Sequence, residues 1–441
     1  MDRVQNELCN RIQDLLTKAK NLPIDAIEIE GIVESGFLAT ARMGAAENLE
    51  HHREQTISIT VYKDKCTGHA SASDLSTQAL QHVLDKAISI AQFSEPDPLS
   101  GLAPQELMAF DYPNLELSHP WHISPKKALD LSIACDTYAR TLDNRITQTE
   151  DASVATTTHF KVYANSNGFI GFYPTTMHSM SISLIAEANG QMERDYYYSS
   201  VRVPKNLESY EEIAKIAARK TLERLNSRKI DTRRCPIIFT PRVAKSLLSH
   251  FVSAITGSNL YRRKSFLYDC LGQKIFPDFI NIYQRPHIKA GYGSAPFDNQ
   301  GVKTRDINYI TDGLLTSYAL GDYSAKKLNL QTTGNAGGVF NLFISHGEKD
   351  LAALCREIGT GLVVTELLGQ GVNLLSGEYS RGAFGFWVEH GEIQFPVHEI
   401  TIASNLKDMF SNIIAVGNDI ENPTNITTGS IVISEMMIAG L

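Results

Sequence analysis

Asn165-Ser166-Asn167-Gly168 and Ala188-Asn189-Gly190 interrupt a run, residues 147–203, in which Thr, Ser, Tyr and Val dominate. Asn and Gly reach positive φ at little cost, so an Asn-Gly pair between extended segments signals a hairpin. The run predicts a meander of antiparallel strands joined by tight turns. Strand-rich sequence without βαβ alternation argues against a doubly wound parallel sheet.

Working outward, Val4, Leu8, Ile12, Leu15 and Leu16 recur at helical spacing up to Pro23. Residues 26–33 and 57–62 alternate apolar with polar, the period of half-buried strands. Leu80, Val83, Leu84, Ala87, Ile88 and Ala91 predict a second helix, and residues 93–101 a loop rich in Pro, Asp and Gly. Ala128, Leu131, Ile133, Ala134 and Tyr138 predict a third helix; Ile213, Ile216, Ala217, Thr221 and Leu225 predict another after the meander. Residues 226–234 are charged and poor in apolar side chains, and we place a domain boundary there. The expectation is an α+β chain of two domains with mainly antiparallel sheets and flanking helices: residues 1–228, then a strand-rich, barrel-like domain over 229–441.

The second half opens with a short strand, residues 236–239. Thr240-Pro241 follows as an N-cap and first-turn proline for a helix burying Val243, Ala244, Leu247, Leu248, Phe251, Val252 and Ile255, with Gly257 as its stop. Residues 386–395 predict a hairpin turning at His390-Gly391. Asn405 should cap a helix with Leu406, Met409, Phe410, Ile413 and Ile414 inward, ended by Gly417. Residues 430–434 predict a terminal strand.

Composition excludes several functions. Apolar residues are 43% and charged ones 20%, ordinary for a globular chain. A net charge of −8 without a Lys/Arg block disfavours nucleic-acid binding; Arg262-Arg263-Lys264 and Arg233-Arg234 read as solvated surface. Apolar runs fall short of the roughly 20 residues that span a bilayer, and the N-terminus lacks the basic flank and apolar block of a secretory signal. Six scattered cysteines without C-x-x-C exclude a zinc ribbon and fit reduced thiols in a cytoplasm. Cys9, Cys135 and Cys355 lie in helical apolar patterns and read as buried.

The motif search finds no self-sufficient active site. There is no Gly-Lys pair for a phosphate-binding loop, and Gly359-Thr360-Gly361 lacks the third glycine of a dinucleotide fingerprint. His398-Glu399 has no second histidine one helical turn on, so it cannot form a zinc-hydrolase helix motif. His51-His52 and the proline-flanked His119 and His122 read as surface, and His250 as a surface or interface residue. A hydrolase using Ser380 with His390 or His398 is the weakest alternative, since no G-x-S-x-G elbow surrounds Ser380. Glycine-rich or small-polar stretches remain: residues 323–328, 332–338 and 369–373.

Residues 323–328 with 332–338, 367–373, 377–383, 385–389 and 400–406 resemble the PmbA/TldD family over essentially the whole chain, most densely in its second half. The family's older name is modulator of DNA gyrase. The resemblance implies a cytoplasmic metallopeptidase of two related subunits, TldD and TldE, that trims unfolded or leader-bearing peptides. TldD-type subunits carry His-Glu-x-x-x-His on a helix and a cysteine near the C-terminus as zinc ligands. In this chain that helix corresponds to residues 240–255. Aligned on Gly257, Leu248 and Ser253 take the histidine positions and Ser249 the glutamate position; residues 421–430 hold no cysteine. The resemblance therefore implies the TldE/PmbA type: no metal or catalytic residue in this chain, and zinc in a TldD-type partner. Unfolded peptide is the implied substrate, with a homodimer possible when the partner is absent. Thr332, Thr333, Gly334, Asn335, Gly337, Gly338, Tyr379, Ser380 and Arg381 are the candidate contacts to partner or peptide. The alternative is a regulatory protein that binds DNA gyrase without proteolysis.

Overall fold

The computed structural model describes residues 3–440. Its first half contains α1 (Arg3–Ala19), β1 (Ala26–Arg42), β2 (Ala45–Lys63), β3 (Cys66–Ala72), α2 (Thr77–Phe93), α3 (Pro125–Thr141), β4 (Ile146–Asn165), β5 (Ile170–Ala188), β6 (Gln191–Val201) and α4 (Tyr210–Glu223). The strands form one antiparallel sheet in the order β3-β2-β1-β4-β5-β6. The predicted turns are present: Asn189 and Gly190 take φ of 54° and 75°, and Asn165 Oδ1 accepts from the Asn167 N–H at 3.0 Å.

One face of this sheet carries the helices. Ile27, Ile29, Ile57, Ile59, Val61 and Val162 are buried there with Leu8 and Ile12 of α1 and Leu84 and Ala87 of α2. Helix and strand meet closely at Gly68, where a Cβ would stand 1.9 Å from the Ala87 carbonyl oxygen. The other face is polar and only half-buried, with Thr157, His159, Thr175, Met177, Ser179 and Ser181 side by side. β1 and β2 run well beyond the predicted segments, to a turn at Met43-Gly44. Residues 45–51 are exposed on both faces, so no buried side imposes alternation on that part of the sequence.

The second half contains β7 (Arg233–Phe239), α5 (Pro241–Ile255), α6 (Gly257–Tyr261), β8 (Ile282–Gln284), β9 (Ile307–Thr311), β10 (Leu314–Leu315), α7 (Asp322–Lys327), β11 (Leu342–Ile344), α8 (Leu351–Ile358), β12 (Gly361–Leu368), β13 (Glu378–Glu389), β14 (Glu392–Asn405), α9 (Leu406–Ser411), β15 (Ile413–Val416), β16 (Ile426–Thr427) and β17 (Ile431–Ala439). The sheet order β14-β13-β12-β7-β17-β15 closes through a β14–β17 pairing into a five-stranded barrel. β7–β12 and β11–β16 are parallel; the other named pairings are antiparallel. α5 buries Val243, Leu247, Leu248, Phe251 and Ile255 in one core with Ile237, Phe239, Val364, Ile402 and Ile433.

Several local expectations need correction. Thr240 sits at the cap position of α5, but its hydroxyl donates to the Val364 carbonyl at 3.1 Å and tethers the helix to β12 instead of capping it. Gly257 begins α6; a Cβ there would meet Ser324 Oγ at 2.2 Å, so close packing on α7 explains the glycine. α9 ends at Ser411, and Ile413 belongs to β15, paired with Ile433. Cys135 and Cys355 are buried, whereas Cys9 is only half-buried.

The two halves are tied at specific side chains. Tyr323 donates to Asp97 at 2.6 Å and Lys327 pairs with it at 3.0 Å, holding that carboxyl down at about 2. Arg202 donates to the Gly291 and Tyr292 carbonyls at 2.8 and 2.6 Å. Residues 323–328 thus act as an internal clasp onto the 93–101 loop.

Candidate functional site

α5 is held by its apolar stripe on the barrel, which fixes what its other side chains can do. Leu248 points into the core and is fully buried. Ser249 is exposed and donates back to the Lys245 carbonyl at 2.9 Å, and Ser253 is half-buried. A zinc site needs imidazole, thiolate or carboxylate donors converging on one point. A buried leucine and two serines do not fit that requirement. Among the described residues, no three His, Cys, Asp or Glu side chains are placed to hold a metal ion.

On the polar side of α5 the barrel strand β13 lays down Tyr379, Ser380 and Arg381. Tyr379 is 2% exposed and packs edge-on against His250, ring centroids 6.1 Å apart. Burial pushes its phenol up to about 12. Arg381 donates from Nη1 to Ser246 Oγ at 3.1 Å. The His250 imidazole is held below its ordinary value, by burial first and by Arg381 second. His250 is half-buried against the fully buried Tyr379 ring, which fits the interface side of the expected surface or interface position rather than a freely exposed one. Its position on the polar face of α5 was readable, but nothing in the sequence places Tyr379 against it. Ser380 points the opposite way, is exposed, and makes no hydrogen bond to His390 at the hairpin turn or to His398 on β14.

The 332–338 loop lies elsewhere and faces inward. Thr332, Thr333 and Asn335 are buried. Thr332 Oγ1 donates to the Leu320 carbonyl at 3.0 Å, and Thr333 Oγ1 accepts from the Leu320 N–H at 2.8 Å. Asn335 Nδ2 donates to Gln284 Oε1 at 2.9 Å, which Tyr309 also reaches at 2.8 Å. The Ala336 N–H donates to Asp298 at 2.9 Å; burial raises that carboxyl to about 6 in spite of three backbone donors. Gly334, Gly337 and Gly338 take φ of 73°, 101° and 127°, so glycine here serves the turn. Of these residues only Gly337 is exposed.

A separate hollow of about 720 Å³ lies between α4, the N-terminal end of α5 and the outer barrel face, lined by Lys220, Arg242, Val363, Phe386, Phe395 and Glu421 among others. No helix among the described residues is long and apolar enough to cross a membrane.

Comparison with known proteins accounts for this architecture. The chain matches the PmbA/TldA metallopeptidase domain 1 over residues 28–91, the central domain over 118–225 and the C-terminal domain over 232–440. It is 46% identical to the metalloprotease PmbA of Escherichia coli O157:H7, over 94% of this chain and 92% of that protein. A PmbA homologue of Haemophilus influenzae is 43% identical over 92% and 90% of the two chains. Among solved structures, TldE of Thermococcus kodakarensis shares the fold with a TM-score of 0.86 at 21% identity, covering 98% of this chain and 100% of that one. The two halves, clasped at Asp97 and built on the helix-covered sheet and the closed barrel, are those of the PmbA/TldD metallopeptidase family, to which this chain belongs.

Proposed function

We propose that this chain is the TldE/PmbA-type subunit of a heteromeric TldD/TldE zinc peptidase of the cytoplasm, acting on unfolded peptides and inert as a peptidase alone. What supports the reading is the content of α5: the family resemblance puts Leu248, Ser249 and Ser253 at the His, Glu and His positions of a TldD-type helix. Leucine donates nothing to zinc, and serine is a poor ligand beside imidazole. Without ligands and a general base, water keeps its bulk acidity and loses the activation that zinc supplies. The partner would contribute metal and base; this chain would complete the wall around them. The half-buried polar face of the first sheet, with its row of Thr and Ser, is suited to lining a wet chamber.

The test is to assay an unstructured peptide with this chain alone, with a TldD-type partner alone, and with both. Chelator-sensitive cleavage only when the partner is present supports the reading. Cleavage by the isolated chain would sink it.

A further inference from the structure

Arg381 carries a charge that this chain does not balance. Its Nη1 bonds Ser246, and its Nη2 reaches the Leu367 carbonyl only at 3.5 Å. No carboxylate pairs with it among the described residues, and its Nε is buried without a partner. One turn along α5, the buried Nε2 of His250 also has none. Arg224 shows how the same chain treats a guanidinium for its own architecture. That side chain meets Glu193, Asp195 and Glu366 at 3.4, 3.2 and 2.7 Å and stacks on Phe384 at 3.7 Å. A half-buried cation without such compensation is costly, and a guanidinium's paired N–H groups match a carboxylate.

We propose that Arg381, flanked by Ser246 and Tyr379, binds a carboxylate of an unfolded peptide. This rests on the peptide-handling role proposed above and names the chemistry that this chain would contribute. On the same side, Ser249 is exposed three residues along α5 from Ser246 and leaves that edge of the site open. The carboxylate arrives end-on at the two Nη atoms and displaces the long contact to Leu367. Its charge offsets the repulsion that Arg381 exerts on His250. The titratable groups facing that imidazole are Arg381 and Tyr379, and Tyr379 stays neutral across the working range, so His250 reports the binding event.

The experiment uses the full chain with labelled histidine and three unstructured probes: a doubly capped peptide with one Glu, the same peptide with Gln, and the Gln peptide with a free C-terminal carboxylate. The Glu probe, the free-carboxylate probe, or both bind roughly tenfold tighter than the capped Gln probe, as one charge-assisted pair allows. Each probe that binds also raises the pH at which the His250 ring titrates. The two carboxylate probes separate an acidic side chain from a chain terminus as the ligand. R381Q abolishes the preference and R381K keeps part of it. Equal binding of all three probes with His250 unmoved overturns the proposal, and this comparison needs no variant to fold. A site made for the partner subunit gives another contrary result: no probe preference in the isolated chain, but weaker association of R381Q with the partner. Loss of partner-dependent cleavage with the carboxylate preference intact would instead count against the subunit role alone.

Discussion

The 332–338 loop and the Tyr379–Arg381 patch look alike as sequence, each a short polar string beside glycines, yet the structure uses them in opposite ways. In the loop, the Thr332, Thr333 and Asn335 side chains are closed into bonds with Leu320, Gln284 and Gly338. In the patch, two buried nitrogens, Arg381 Nε and His250 Nε2, have no partner among the described residues. Satisfied buried polar groups specify a fold; unsatisfied ones carry a cost that something outside the chain can relieve. The comparison teaches that the loop is architecture and that the patch is where chemistry from outside would enter.

The largest effect should come from breaking the loop. Asn335→Ala removes the amide that joins Gln284 Oε1 to the Gly338 carbonyl and leaves acceptors buried, so a loss of about 2–3 kcal/mol is expected in denaturant unfolding. A loss below half of that would mean the loop is less rigid than its bonds imply.

Next, the two regions should pull stability in opposite directions with pH. Folded Asp298 keeps its proton up to about 6, against an ordinary 3.8. Between those values the folded state binds more protons than the unfolded one, so this group's contribution falls as pH rises. His250 is depressed below its ordinary 6.5, so the folded state binds fewer protons and stability falls as pH drops below that value. Comparing the unfolding free energy of wild type with His250→Phe across this range isolates the second slope. An unchanged slope would show that the imidazole is not in the environment described.

The smallest effect is expected for the patch itself. His250→Phe keeps the ring contact with Tyr379 and removes an unpaired nitrogen, so stability at neutral pH should stay within about 0.5 kcal/mol of wild type or rise slightly. A loss comparable to that of Asn335→Ala would erase the contrast between the regions.

Much of the fold was legible because burial leaves a period in the sequence. Ile27 and Ile29 face the core of the first sheet, the stripe Val243–Leu247–Leu248–Phe251 faces the barrel core, and the Asn-Gly turns fall where the sequence puts them. The outer part of the β1–β2 hairpin was not legible, since residues exposed on both faces carry no alternation. β15 was absorbed into a helix because Ile413 continues the apolar spacing of α9. For the candidate site, only the resemblance suggests that Leu248, Ser249 and Ser253 of α5 stand at ligand positions. The partners of the family strings could not be read: Asp97 for Tyr323, Gln284 for Asn335 and His250 for Tyr379 lie tens to hundreds of residues away. Only folding brings them together.

Zinc content measured on the purified chain, beside its mixture with a TldD-type partner, tests the central claim most directly. The account predicts a chain that elutes without tightly bound zinc and a complex whose metal tracks the amount of partner. One zinc per chain, retained by the isolated protein through gel filtration, would contradict it.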